Sequence, residues 1–310
     1  LCRAVFLVLG PRAERELRLW AADGVGGPGY GDGMSDSVQF DLDVYLRRIG
    51  WEGERRADAA TLRGVHLAHL RALPFENLDA LRRQAPSLDP ADLMAKLVRG
   101  RRGGYCYEHN TLFACALRAL GFRVTLLVAR VVVGADSIAS RPRTHMALLA
   151  EVPGEARPYL ADVGFGAIGS LLEPMPLVAD TEFTGAGRRH RLVHAPHDGP
   201  LEMWVLEAHD RAKEDWTAQY AFTLEPFEKP DFDVVNWYVG TSPRSPFTRR
   251  VYVQNVSADR HLLLDGRLLT ETRPDGTVTE REVTGEAEAH RLLEEEFGIT
   301  APEGMTLLTD

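Results

Sequence analysis

The sequence predicts an α+β fold in three parts: helices, then a sheet or barrel, then a smaller mixed unit. Three features carry that expectation. From Ser35 to about Gly121 apolar residues recur at helical spacing. After Gly121 the period changes to two. Beyond a proline-containing connection (Pro226, Pro230), short strands with Asp-Gly turns precede one charged helix. The parts so defined are residues 34–120, 121–226 and 227–310.

Each element has a local reason. Asp41 is placed to cap a helix through Leu42, Leu46 and Ile49, closed by Gly50. Thr61 precedes Leu62, Val65, His66, His69, Leu70 and Leu73, a second helix that ends at Pro74. Pro90 opens a third through Leu93, Met94 and Leu97. A fourth starts near Cys106 and runs through Leu112, Phe113, Ala116, Leu117 and Leu120 to Gly121. Residues 124–133, 145–152 and 159–163 are β-branched-rich runs between Gly/Pro turns, and more short strands follow to Phe222. The last part holds strands at 250–256 and 261–264, hairpin turns at Asp265-Gly266 and Asp275-Gly276, and a helix over 286–297 stopped by Gly298.

Composition removes several function classes. Of 310 residues, 45% are hydrophobic and 26% charged, as in ordinary globular chains. The net charge of −9 is opposite to that of proteins that wrap nucleic acid, so no such partner is expected. No apolar run approaches the length of a membrane span. Three cysteines (Cys2, Cys106, Cys115) are too few and too odd for a disulfide framework, which points to a reducing, cytoplasmic setting. Residues 1–33 are expected to lie outside the fold. The apolar stretch from Ala4 to Gly10 is at the lower limit for a signal sequence, and charged residues follow it without a small-x-small cleavage site. The glycine tract from Asp23 to Gly33 has neither a feeding strand nor a following Lys-Ser/Thr, so it is no phosphate loop.

The chemistry concentrates at Arg101-Arg-Gly-Gly-Tyr-Cys-Tyr-Glu-His-Asn110. A glycine turn delivers Cys106 into the first turn of a helix, where orphan N–H groups and the helix dipole favour an anion. A packing role for this cysteine is the alternative; Cys115, nine positions on, faces away from it. A nucleophilic thiol needs a base and the base an orienting group. If a hairpin turns at Pro153-Gly154, His145 stands directly opposite Asp162, and a structural His–Asp contact is the competing reading. Pro-Gly favours a type II turn, which splays hairpins, so a longer loop is the alternative.

At these residues the chain resembles the arylamine N-acetyltransferases. Arg102-Gly-Gly-Tyr-Cys106 with Glu108 and Asn110, Pro74-Phe-Glu-Asn-Leu78, Thr144-His145, Asp162-Val-Gly-Phe-Gly166, and Trp237-Tyr238 with Thr241-Ser242-Pro243 carry the likeness, which spans residues 34–310. The resemblance implies a helical bundle, a central β-barrel and a C-terminal α/β lid, with a papain-like triad of Cys106, His145 and Asp162. It implies ping-pong transfer from acetyl-CoA to an arylamine or arylhydrazine. Cys106 would be the nucleophile, His145 the base and Asp162 its orienter. Thr144, Gly164, Phe165, Gly166 and Trp237 are the CoA and acceptor contacts it suggests, and no metal is implied. A macrolactam-forming amide synthase of the same fold and a papain- or transglutaminase-like hydrolase are the alternatives, followed by a non-catalytic binding module.

Other signals carry less. Gly164-Phe-Gly-Ala-Ile-Gly169 fits a dinucleotide fingerprint, but Pro174 and Pro176 stop any helix after it, leaving a phosphate or pantetheine cradle or a plain turn. Arg102 and Glu76 are expected at the surface, a buried pair being the weaker alternative. His190, His194 and His197 resemble a metal cluster, yet Arg188, Arg189 and Arg191 repel a cation, so a solvated basic strand is expected.

Overall fold

Asp41 caps the first helix as its sequence predicts: α1 (Leu42–Ile49) begins with Asp41 Oδ1 accepting from the Val44 N–H at 3.0 Å and ends at Gly50, whose φ is 68°. The computed structural model describes residues 40–211, 213–257 and 260–308. The leader expected over residues 1–33 lies outside the described residues. Helix α2 (Ala59–Ala72) starts earlier than expected, because Asp58 and not Thr61 is its cap; Thr61 donates its N–H to Asp58 Oδ1 at 2.8 Å. A short α3 (Leu78–Leu81) follows β1 (Phe75–Glu76), and α4 (Pro90–Leu93) continues as a π-helix over Met94–Arg99. Helix α5 (Cys106–Ala119) then crosses the bundle core among Tyr45, Leu62, Val65 and Leu97.

Strands β2 (Arg123–Val131), β3 (Arg143–Glu151), β4 (Tyr159–Ala161), β5 (Met175–Pro176), β6 (Glu182–Gly185), β7 (Arg188–Ala195), β8 (Met203–Asp210) and β9 (Asp215–Phe222) form one antiparallel sheet in the order β5-β4-β3-β2-β9-β8-β7-β6. One stretch serves both of its edges. Met175 pairs with Leu160 at one, Asp180 N–H donates to the Leu192 carbonyl at 2.8 Å, and β6 pairs with β7 at the other. The sheet is thereby curled into a nearly closed barrel. Alternation sorts its side chains: Leu127, Ala129, Ala147 and Leu149 join the barrel interior with Leu160, Leu206 and Phe222, while Val128, Met146, Leu148 and Ala150 pack with the bundle. Strand β3 is thus buried on both faces.

The lid sheet runs β1-β10-β11-β12-β13, adding β10 (Tyr252–Val256), β11 (His261–Asp265), β12 (Leu268–Thr272) and β13 (Val278–Glu282) to the strand that precedes α3. Both Asp-Gly turns lie between strands as expected: Asp265 pairs with Leu268, and the second turn joins β12 to β13. One element departs from the sequence reading. The proline-containing connection holds a thirteen-residue helix, α6 (Lys229–Thr241). Pro230 sits in its first turn, where a missing N–H costs nothing; read as a breaker, it concealed the helix. The closing helix α7 (Glu286–Glu295) packs Ala289, Leu292 and Leu293 into the lid core.

Candidate active site

The nucleophile turn is built by close approach. Any Cβ on Gly103 would lie 1.9 Å from the Pro74 carbonyl oxygen, so only glycine fits where this turn meets the strand of Phe75. Glu76 N–H donates to the Gly104 carbonyl at 2.8 Å. Glu108, one turn into α5, reaches back to the Tyr105 N–H at 3.1 Å and so fixes the helix start. Beneath the turn lies a charged cluster. Arg102 Nε donates to Glu76 Oε1 at 2.7 Å and its Nη2 to Asp79 at 3.0 Å; Lys96 Nζ donates to Asp79 at 2.5 Å and Glu108 at 2.6 Å. The surface location expected for Arg102 and Glu76 is therefore corrected: Glu76 is fully buried, because the turn and β1 close over it. Buried carboxylates of this kind persist only when paired. Burial opposes the charge on Lys96, but Glu108, Glu76 and Asp79 together hold its ammonium protonated.

A second buried network lies behind the turn. Tyr45 O–H donates to His69 Nδ1 (2.8 Å), His69 Nε2–H to His109 Nδ1 (2.8 Å), and His109 Nε2–H to the Pro74 carbonyl (3.1 Å). The terminal acceptor, which has no proton to give, fixes every direction in the chain. Burial keeps both imidazoles neutral, His109 being pushed down to about 4.

Cys106 is the first residue of α5, buried, with its Sγ 4.0 Å from the Thr144 carbonyl. The next residue, His145, is buried on β3 and donates from Nε2 to Asp162 Oδ2 at 2.7 Å, which leaves Nδ1 as the nitrogen available to the thiol. Burial alone would lower the imidazole's pKa, but the Asp162 carboxylate and Cys106 raise it to about 10. The pair is not directly cross-strand, as the two-residue turn would require. Leu148 faces Ala161 and Ala150 faces Tyr159, so the connection is longer and that register puts Asp162 opposite Ala147, diagonal to His145. Diagonal neighbours on one face remain within reach of long side chains.

Asp162 is fully buried, and burial acts to raise its pKa; His145, Asn110 and the Gly164 N–H overcome this and hold it below the usual carboxylate value. Asn110 Nδ2 and Gly164 N–H each donate to Oδ1 at 2.9 Å. The sequence reading quoted Asn110 without a role; its signal is position i+4 from Cys106, which puts both on one helix face. Phe165 and Tyr220 flank the imidazole, their centroids 5.2 and 5.0 Å from that of His145. Nothing in the sequence pointed to Tyr220, which arrives through closure of the barrel.

The suggested ligand residues do not form one cluster. Thr144 and Phe165 adjoin the thiol and imidazole. Gly164 and Gly166 have packing reasons to be glycine: a Cβ on Gly164 would sit 2.8 Å from Cys106 Cα, and one on Gly166 2.8 Å from the Phe75 ring. Trp237 is 64% exposed on α6, beside Asn236, which accepts the Tyr105 hydroxyl at 2.5 Å. His190 is buried, not solvated, and bonds to the Gly169 carbonyl at 3.1 Å. Among the described residues, no group of three or more His, Cys, Asp or Glu could hold a metal ion. No helix among them is long and apolar enough to cross a membrane.

A family model described as N-acetyltransferase matches residues 58–305. The arylamine N-acetyltransferase of Mycolicibacterium smegmatis is 40% identical over 242 residues, covering 77% of this chain and 85% of its own. The chain belongs to the arylamine N-acetyltransferase family. The crystal structure of the Nocardia farcinica arylamine N-acetyltransferase superposes with a TM-score of 0.79 at 43% identity, covering 86% of this chain and 91% of that one. The family enzyme of Mycobacterium marinum in complex with CoA gives 0.76 at 35% identity, covering 84% and 93%. The α+β architecture of bundle, barrel and lid is thus the family's.

Proposed function

We propose that the chain transfers an acetyl group from acetyl-CoA to the nitrogen of an arylamine or arylhydrazine, by a ping-pong route through an acetyl-Cys106 thioester. One observation carries this reading: a thiol at a helix start lies against the Thr144 carbonyl, next to the residue whose imidazole is 2.7 Å from a buried carboxylate. Cys106 Sγ, as thiolate, attacks the acetyl carbonyl carbon. The carbon–sulfur bond to CoA breaks, and His145 gives the proton on Nδ1 to the departing sulfur. His145, now neutral, takes a proton from the amine nitrogen as that nitrogen attacks the acetyl-Cys106 carbonyl. The carbon–Sγ bond breaks, and thiolate and imidazolium are restored. Asp162 fixes the imidazole orientation and offsets its charge.

Thr144, Gly164, Phe165, Gly166 and Trp237 are the proposed contacts for the two substrates. Phe165, its ring centroid 5.2 Å from that of His145, is the proposed aromatic contact for the amine. Trp237 offers an exposed ring on α6, and the CoA complex of the M. marinum relative favours a CoA-linked donor. Divisions near residues 34–120, 121–226 and 227–310, with residues 1–33 outside the fold, complete the proposal, together with a cytoplasmic setting that would keep Cys106 and Cys115 reduced.

Intact-protein mass spectrometry tests the reading. Acetyl-CoA alone adds one acetyl group, C106S takes up none stably, and an arylamine removes the label from wild type as the acetylated amine. Labelling that persists in C106S, or a wild type left unlabelled by intact acetyl-CoA, would sink the proposal. A label that no arylamine discharges would favour the amide-synthase alternative.

A further inference from the structure

The Asp162 backbone leaves the β-ladder just beyond Ala161, and its N–H is not met by another strand. It is met by a side chain from the bundle. His66, on α2, accepts this N–H at Nε2 (3.2 Å) and donates Nδ1–H to the Leu172 carbonyl (3.1 Å). The imidazole is fully buried, with Phe113 edge-on at 5.6 Å. These two bonds settle its tautomer: the proton is on Nδ1, and the lone pair on Nε2 points at Asp162.

We infer that His66 is a positioning residue for the reaction, a neutral strut from α2 that sets the Asp162 backbone, and through it the carboxylate that orients His145. The inference rests on the acetyl-transfer reading above. The groups facing Asp162 divide the work. His145, Asn110 and the Gly164 N–H hold its oxygens, Tyr220 lies against His145 with its hydroxyl under the Asp162 charge, and His66 alone among the described residues bonds its amide. Charge matters as well as place. A protonated His66 would compete with His145 for the carboxylate; burial pushes its pKa down to about 4, so it acts as an acceptor and not as a second cation.

Two substitutions separate the two bonds. H66Q extends an amide oxygen toward the Asp162 N–H, at the reach of Nε2. H66N offers an amide NH2 near the place of Nδ1, keeps the Leu172 bond and loses Asp162. Alkylation of Cys106 by iodoacetamide, compared at pH 6 and pH 9, reads the His145–Cys106 pair without acetyl-CoA or amine. The inference therefore stands or falls separately from the proposed reaction. In H66Q the pH 6 to pH 9 rate ratio stays within about threefold of wild type, whereas in H66N it falls about tenfold, the scale of one lost buried hydrogen bond. The low-field proton resonance of His145 Nε2–H stays in place in H66Q and moves upfield in H66N. Equal ratios in two folded variants would overturn the inference. If H66N does not fold, H66Q decides alone: a shifted resonance and a tenfold loss there would also overturn it.

Discussion

Asn110 donates its amide to Asp162 at 2.9 Å while its own carbonyl oxygen takes the Val163 N–H at 3.2 Å, so one side chain of the nucleophile helix grips both residues at the barrel's edge. A third bond, to the Met146 carbonyl at 2.7 Å, ties in β3. N110A would take a partner from three buried groups, Asp162 Oδ1 keeping the Gly164 N–H, at about 1–3 kcal/mol for each group left unsatisfied. We expect a clear fall in the urea midpoint and at least tenfold slower acetylation of Cys106, read by single-turnover mass spectrometry. Unchanged acetylation in a folded N110A would show that Asp162 is held well enough without it.

D162N removes the charge that lifts the His145 pKa. Cys106 alkylation at pH 6 should fall toward that of an ordinary thiol, while alkylation at pH 9 changes little. Identical profiles in wild type and folded D162N would reduce the triad to a Cys–His dyad.

The same ion pair writes a pH dependence into stability. His145 moves from 6.5 unfolded to about 10 folded, so its contribution is complete below pH 6.5 and disappears as pH rises through 10. In D162N the alkaline decline between those values should flatten, as followed by urea midpoints at pH 7 to 10.

Acid acts through other histidines. His66, His109 and His190 are pushed down to about 4 and His261 to about 3 by burial, and His69 is also lowered. Each is neutral in the fold and takes a proton on unfolding below pH 6.5. Their contributions are complete above 6.5 and are lost as pH falls through the folded values. Thermal melts should therefore drop steadily from pH 6.5 to 4.5, and replacing His261 with Gln should lessen the slope.

G164A tests the contact between loop and nucleophile. Its methyl would press on Cys106 Cα and the Cys106 carbonyl, both 2.8 Å away, and overpacking of this kind costs about 1–3 kcal/mol. Acetylation should fall far more than the melting temperature, because the strained atoms carry the thiol or, in Asn110 Nδ2 at 2.7 Å, hold Asp162. A folded G164A with wild-type acetylation would count against a tight fit here.

A chain beginning at Met34 should keep its acetylation rate and melting temperature. A large loss of either would move the start of the fold into residues 1–33.

Much of the site was legible because it is local. Cys106 at a helix start needs only the Gly103-Gly104 turn before it and the spacing of Leu112, Phe113 and Ala116 after it. His145 and Asp162 sit at the ends of two runs whose alternation is plain. What escaped depends on distant partners. The burial of Glu76 with Arg102 follows from lid and bundle closing on one turn, and α6 was masked by Pro230, whose position in a first turn is visible only once the helix is known. The register missed by one diagonal because the connection after Ala150 is longer than its Pro-Gly pair suggests. His66 looked like one more residue of an apolar helix face, since its two partners lie 96 and 106 positions away.

Strand β9 closes the barrel against β2 and carries Tyr220 to the face of His145, so the surroundings of the thiol are complete only when residue 222 has been placed. During synthesis Cys106 leaves the ribosome more than fifty residues before Asp162 and more than a hundred before Phe222. Until then it has neither its imidazole nor its buried carboxylate, and its sulfur reacts like that of any unstructured cysteine. The growing chain thus carries a thiol without its activating partners, and the assembled group that takes an acyl group arrives with the last barrel strand.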